Sequence, residues 1–237
     1  MKIKELVSAL ERFAPLPLQD GFDNAGLQIG LTEAEATGAL LCLDVTEAVL
    51  DEAIALGYNL VISHHPLIFK GYKSITGKDY VERCILKAIK NDIVIYSAHT
   101  NLDNAYGGVN YKIAEKIGLK NLQVLEPKEN SLQDDLTQVG AGIVGELDEP
   151  ETELEFLKRI KKTFEVGCVR HNRLTGREIQ KVALCGGAGA FLLPQAIRAG
   201  ADVFITGEIK YHDYFGHEGD ILMAEIGHYE SEQYTKE

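Results

Sequence analysis

The chain has 237 residues, 45% hydrophobic and 25% charged, which suits one large globular domain or two small intertwined ones with an ample core. A formal net charge of −12 argues against a nucleic acid or an anionic membrane as the main partner, since both recruit basic patches. The cysteines Cys42, Cys84, Cys168 and Cys185 form no C-x-x-C pair, which argues against a zinc knuckle or disulfide framework and fits a reducing cytoplasm.

Ile3, Leu6, Val7, Leu10 and Phe13 have helical spacing, and Pro15 with Pro17 ends that helix. The opening is not a signal peptide, and no apolar run approaches the ~20 residues of a membrane span. Asp20–Leu27, with its Asp, Asn and Gly, reads as a loop. Gly38–Leu43 is expected to be a buried strand, followed by a helix over Glu47–Leu56 that Thr46 caps and Gly57 closes. Leu60–Ile62 is the next strand, Tyr80–Lys90 a helix, Ile93–Ser97 a strand and Tyr111–Ile117 a helix ending at Gly118. This alternation predicts parallel strands with crossover helices. From about Leu122 to Gln180, charge runs mix with the glycines 140, 142 and 145 and a helix over Glu151–Thr163. That stretch reads as a smaller lobe, 122–180, inserted between the halves 1–121 and 181–237 of a metal-binding main lobe. The expected class is therefore α/β: two intertwined α/β lobes in three layers, the smaller inserted in the larger.

A gapless internal echo supports a repeat. Shifting the chain by 143 residues aligns Ala39–His65 with Val182–Glu208, with identities at Leu41/Leu184, Cys42/Cys185, Leu50/Leu193, Ala53/Ala196, Ile54/Ile197, Gly57/Gly200 and Ile62/Ile205. Any two βαβ units share apolar periodicity, which is the alternative, but seven identities in 27 positions sit above that expectation. If the repeat is structural, Glu208 sits at the end of its strand as His65 does, and ligands in open α/β sheets gather at such ends.

Potential metal ligands cluster at strand ends. His64-His65-Pro66 follows Leu60–Ile62, and both rings can share a site only where the strand has ended; the alternative is a pair of surface or capping histidines. Asp103 ends the run His99–Asp103 past another strand, where it could also merely shape the turn before Gly107-Gly108. His228 and Glu232, four apart in a helical tail, lie on one face. His99 is a ligand partner, an acid/base group or a satisfied core histidine, and Glu208 is a second proton-transfer candidate beside it. His171, His212 and His217 read as surface residues or partners of ligands. Five donors (His64, His65, Asp103, His228, Glu232) overfill a mononuclear zinc site but suit two divalent ions, Zn, Mn, Fe or Ni, about 3.5–4 Å apart, with Glu232 as bridge. No P-loop, G-x-S-x-G or dinucleotide fingerprint competes; Gly186-Gly187-Ala188-Gly189 is a weak phosphate-nest candidate.

Asp23–Gln28, Ser63–Leu67, His99–Asp103, Thr206–Glu208 and Gly227–Glu232 together resemble the NIF-three-like family, whose members are labelled GTP cyclohydrolase I type 2 homologs. The resemblance spans nearly the whole chain. It implies a two-lobed α/β fold, a dinuclear site on the same five residues, and toroidal hexamers built from dimers. The function expected is a dinuclear hydrolase acting through a metal-bridging hydroxide on a small molecule: a cyclic amide, an imidazole ring such as that of GTP, or a phosphoester. A non-catalytic metal-binding regulator or scaffold is the alternative.

Overall fold

A computed structural model describes residues 1–128, 139–217 and 219–237. The chain divides into two compact units, Met1–Leu102 and Asp103–Thr235. The N-terminal unit runs α1 (Ile3–Phe13), β1 (Gly26–Ile29), β2 (Ala39–Cys42), α2 (Glu47–Leu56), β3 (Leu60–Ser63), α3 (Tyr80–Lys90) and β4 (Val94–Ser97), and α4 (Thr100–Asp103) straddles the boundary. Its sheet has the order β1-β4-β3-β2, with β2, β3 and β4 parallel and β1 antiparallel at the edge. Strand alternation sorts the core: Val61 and Ile95 pack with Leu50 and Ala53 of α2 and Cys84, Ile85 and Ala88 of α3. Leu60 and Val94 point the other way, onto Ile3 of α1. The unit is thus three-layered.

Local signals set the helix boundaries. Thr46 accepts a hydrogen bond from the Val49 amide at 3.3 Å, and Gly57 leaves α2 in the left-handed region at φ 69°, where a Cβ is penalised. Asp79 caps α3 by accepting from the Glu82 amide at 2.8 Å. Glu82 itself is buried, and its carboxylate accepts from the amides of Thr76 and Lys78 at 2.8 and 3.1 Å. The Thr76 amide, then that of Lys78 against the opposing effect of burial, holds its pKa down to about 2. A carboxylate depressed in the folded state contributes stability above its ordinary pKa and loses it as pH falls through the folded value. Urea unfolding of the wild type should therefore weaken between about pH 4.5 and pH 2, with a shallower decline in Glu82→Gln. Identical pH slopes for the two proteins would remove Glu82 from that account.

The C-terminal unit runs α5 (Val109–Ile117), β5 (Lys120–Pro127), β6 (Gly140–Thr152), α6 (Glu153–Thr163), β7 (Arg170–His171), β8 (Glu178–Cys185), α7 (Leu193–Arg198), β9 (Val203–Thr206), β10 (Leu222–Glu225) and α8 (His228–Glu232). Its sheet order is β5-β6-β8-β9-β10-β7. Strands β8, β9 and β10 are parallel, and β7 is antiparallel on β10. Phe204, Ala183 and Met223 face Leu193 and Ala196 of α7, while α5 and α6 pack on β6 and β8.

The internal echo is structural, down to the register. In the first unit Ala39 pairs with Leu60 and Cys42 with Ser63; in the second, the residues 143 positions later, Val182 with Val203 and Cys185 with Thr206, pair the same way. Strands β4 and β10 then add on the same side, and β1 and β7 close that edge antiparallel in each unit. The shared residues Leu50/Leu193 and Ala53/Ala196 are core contacts of α2 and α7, which explains why they match.

Four expectations differ from the structure. The loop expected over Asp20–Leu27 stops at Ala25, because Gly26 and Leu27 pair with Ser97 and Tyr96 as the start of β1. The strand expected over Gly38–Leu43 is shorter, and as the outer strand of its sheet β2 alternates exposed with half-buried residues instead of being buried. The helix expected from Glu151 starts at Glu153, because β6 continues to Thr152, which caps α6 by accepting from the Glu155 amide. The lobe expected at 122–180 is, where described, not set apart: β6 pairs antiparallel with β8, so its strands extend the sheet of residues 178–225. Residues 129–138 of that stretch lie outside the described residues. No helix among the described residues is long and apolar enough to cross a membrane.

Candidate metal centre

In the N-terminal unit, β3 ends at Ser63, and the His64 and His65 amides continue its bonding to the carbonyls of Cys42 and Leu43 at 3.1 and 2.9 Å. Past the strand the two rings no longer diverge; their centroids are 4.9 Å apart. His99, just beyond β4, brings its ring to 5.3 Å from His64 and 5.5 Å from His65. One ring nitrogen of each lies within 4.8 Å of the others.

Each of these rings is fixed from behind. His64 Nδ1 donates to the Ala98 carbonyl at 2.8 Å, His65 Nδ1 to Asp44 Oδ1 at 2.9 Å and His99 Nδ1 to Asp23 Oδ1 at 2.7 Å. The Asp23 side chain is buried and also accepts from the Thr100 amide at 3.0 Å and from the Thr100 hydroxyl. Burial would raise its pKa, but the hydrogen bonds from His99 and Thr100 outweigh that and hold it at about 2.

In the C-terminal unit, α8 carries His228 and Glu232 one turn apart, with Nε2 and Oε2 3.2 Å from each other. His228 Nδ1 donates to Glu208 Oε1 at 2.7 Å, so Glu208 at the end of β9 backs a ring here as Asp44 does for His65. Hydrogen bonding to Glu232 raises the His228 pKa, burial opposes it, Glu208 adds to it, and the result is about 9. Asp103 closes α4; its backbone carbonyl accepts from Asn110 Nδ2 at 3.1 Å, and Asn110 Oδ1 accepts from the Gly186 amide at 2.9 Å.

Gly186–Gly189 is not an anion nest. All three of its glycine amides are consumed by the protein: Gly186 by Asn110, Gly187 by Ser231 Oγ at 3.0 Å and Gly189 by Thr206 Oγ1 at 3.0 Å. Ser231 Oγ in turn donates to the His228 carbonyl at 2.8 Å. The segment is a bracket for α8. A Cβ on Gly187 would lie 2.3 Å from Glu232 Oε1 and 3.3 Å from His228 Nε2, at a φ of 59°. The bare backbone keeps room open at the two donor atoms.

The donor set fits a divalent transition metal. An imidazole whose Nδ1–H is spent on an oxygen acceptor carries its lone pair on Nε2, the arrangement in which metal-bound histidines are found. All four rings give Nδ1 to an oxygen acceptor: His64 to a carbonyl, and His65, His99 and His228 to carboxylates. The carboxylates that hold His228 as a cation to about pH 9 create a negative field that a metal can occupy by displacing that proton. His99 joins His64 and His65, while His171 lies on exposed β7. Sequence reasoning missed Asp23, Asp44, Gly187 and Ser231. Only the echo, by equating Glu208 with His65, pointed to any residue behind the rings.

The whole chain, residues 1–237, matches the family model described as Duf34/NIF3 (NGG1p interacting factor 3). A protein of Clostridium perfringens named GTP cyclohydrolase 1 type 2 homolog is 37% identical over 98% of this chain and 87% of its own length. One of the same name from Lactococcus lactis is 36% identical over 97% and 86%. Among solved structures, a Staphylococcus aureus hypothetical protein superposes with a TM-score of 0.89 at 33% identity, covering 98% of this chain and 87% of that one. The reduced HcgD of Methanocaldococcus jannaschii gives 0.81 at 28% identity, covering 99% and 90%. With the family model matched from end to end, the chain belongs to the Duf34/NIF3 family.

Proposed function

We propose that the protein is a dinuclear metal-dependent hydrolase of small molecules, with His64, His65, Asp103, His228 and Glu232 holding a pair of divalent ions drawn from Zn, Mn, Fe and Ni. The observation that carries this reading is the backing of every candidate imidazole at Nδ1 by an oxygen acceptor. Bound divalent ions supply Lewis acidity and make coordinated water a nucleophile at neutral pH. The chain's own part is to fix four imidazoles through their Nδ1 atoms, to keep space open at Glu232 through Gly187, and to place His99 beside His64 and His65 for proton transfer.

The names of the relatives support cyclohydrolase-type ring opening, in which one water adds to an imidazole-ring carbon and opens the ring to a formamide, and a second water hydrolyses that formamide to release formate. A cyclic amide or phosphoester fits the same chemistry. Metal analysis of protein purified without chelator should find up to two ions per chain, nearly all lost in the Asp103→Ala, Glu232→Ala double variant. Full metal content in that variant would reject the ligand set. Metal-loaded protein is then assayed on nucleotides, cyclic amides and phosphoesters; formate from GTP selects the cyclohydrolase version. No turnover of any of them by fully loaded protein selects the regulator or scaffold instead.

The family resemblance also supports a cytoplasmic toroidal hexamer assembled from dimers. Light scattering should give a mass about six times that of the 26.1 kDa chain. A stable monomer at micromolar concentration would exclude the ring.

A further inference from the structure

The loop over residues 20–25 and the start of β1 are more elaborately built than the metal site requires. Asn24 Nδ2 donates to the Ile68 carbonyl at 2.6 Å, the Ile68 amide donates to Gln28 Oε1 at 3.2 Å, and Gln28 Nε2 donates back to the Asn24 carbonyl at 2.6 Å. This closed ring ties the loop to the segment after His65. Asp23, one residue earlier, is bolted to His99 and Thr100. Between these fixtures stand two phenylalanines that the core does not take up: Phe22 is 66% exposed and Phe69 45% exposed. Their ring centroids are 6.3 Å apart at a 47° tilt, and Phe69 lies 6.2 Å from the His99 ring.

We infer that Phe22 and Phe69 form the stacking platform for a planar nitrogen heterocycle, held beside His64, His65 and His99 as the substrate of the proposed hydrolase. Leaving two large aromatic faces in water is unfavourable, and fixing them by hydrogen bonds of the adjoining backbone prevents their collapse into the core. The ligand must bring an apolar π-face for the phenylalanines and polar edges for the imidazoles and carboxylates alongside. A sugar or an amino acid backbone lacks the first, and a hydrocarbon ring lacks the second. The motif Asp23-Asn24-Ala25-Gly26-Leu27-Gln28 thereby acquires a role: Asp23 orients His99, and Asn24 with Gln28 sets the platform.

The inference rests on the hydrolase reading, and one experiment separates the two. Metal-loaded protein is dialysed to equilibrium against 2-aminopurine riboside, whose fluorescence is easily followed because the chain has no Trp. Saturable binding is expected, with 5,6-dihydrouridine, whose ring is not planar, binding at least ten-fold more weakly. Replacing both rings, Phe22→Ala with Phe69→Ala, should weaken the purine probe by roughly ten-fold or more per ring while leaving metal content unchanged. The Phe22→Tyr, Phe69→Tyr variant should keep the affinity. Absence of saturable binding to the wild type, equal binding of the two probes, unchanged affinity in the double alanine variant, or a change in its oligomeric mass overturns the platform. Fully loaded wild-type protein that binds the probe but turns over none of the nucleotides, cyclic amides and phosphoesters overturns the hydrolase reading alone.

Discussion

Gly187→Ala is expected to cost the protein most of its metal while leaving it folded. The new Cβ would sit 2.3 Å from Glu232 Oε1, so the carboxylate has to move, and it is held on a short helix whose Ser231 is itself bonded to the Gly187 amide. Two effects are mixed in this variant: the clash, and the left-handed backbone at φ 59°, which costs a side chain roughly 1–2 kcal/mol. Gly200→Ala separates them, since Gly200 has a φ of 69° and nothing within 4 Å of its Cβ position. Both variants should lose stability in urea, Gly187→Ala at least as much as Gly200→Ala. Only Gly187→Ala should bind Zn or Mn more weakly, by at least the roughly 10–100-fold that disturbing a ligand's supporting partner costs. Wild-type affinity in Gly187→Ala would remove Glu232 from the ligand set.

Glu208→Ala should show which of two roles that carboxylate has. Its bond to His228 Nδ1 makes it the group that selects the tautomer and angle of the ring, and removing such a partner lowers metal affinity about 10–100-fold. Glu208→Gln keeps an oxygen acceptor at the same reach and should recover much of that loss. Asp44→Ala should behave like Glu208→Ala, because Asp44 does the same for His65. If Glu208 transfers protons instead, its alanine variant keeps full metal affinity and loses only turnover. Titration calorimetry with the metal alone distinguishes the two without a substrate.

Local chemistry was legible in the sequence where a local rule decides it. Helix α2 starts at Thr46 and stops at Gly57 because a side-chain cap and a left-handed glycine operate within a few residues, and α1 and α3 came out at their expected ends for similar reasons. The end of β6 did not, since pairing with β8 carries the strand into residues that favour a helix. The candidate histidines His64, His65 and His99 were legible as strand-end residues. The groups behind them were hidden by distance along the chain: Asp23 and His99 are 76 residues apart, and Asp44 and His65 are 21 apart. Nothing local distinguishes those aspartates from loop residues. The glycines at 186–189 suggested a phosphate nest, because glycine spacing cannot say which groups occupy the amides.

The two units differ in how their sheets end, and that has a bearing on solubility. In the first, β2 is the terminal strand, and it is only four residues long. So short an edge gives a stray chain few backbone groups to zip onto, which is one way proteins discourage aggregation. Its counterpart β8 spans eight residues, Glu178–Cys185, and left bare would be a far better template for misassembly. The β5–β6 hairpin covers it and moves the outermost position to β5, whose sequence begins with Lys120, contains Glu126 and ends in Pro127. Charges and a terminal proline make that border a poor site for strand addition. The hairpin, the chief departure of the second unit from the first, thus protects the longer sheet from pairing with other chains.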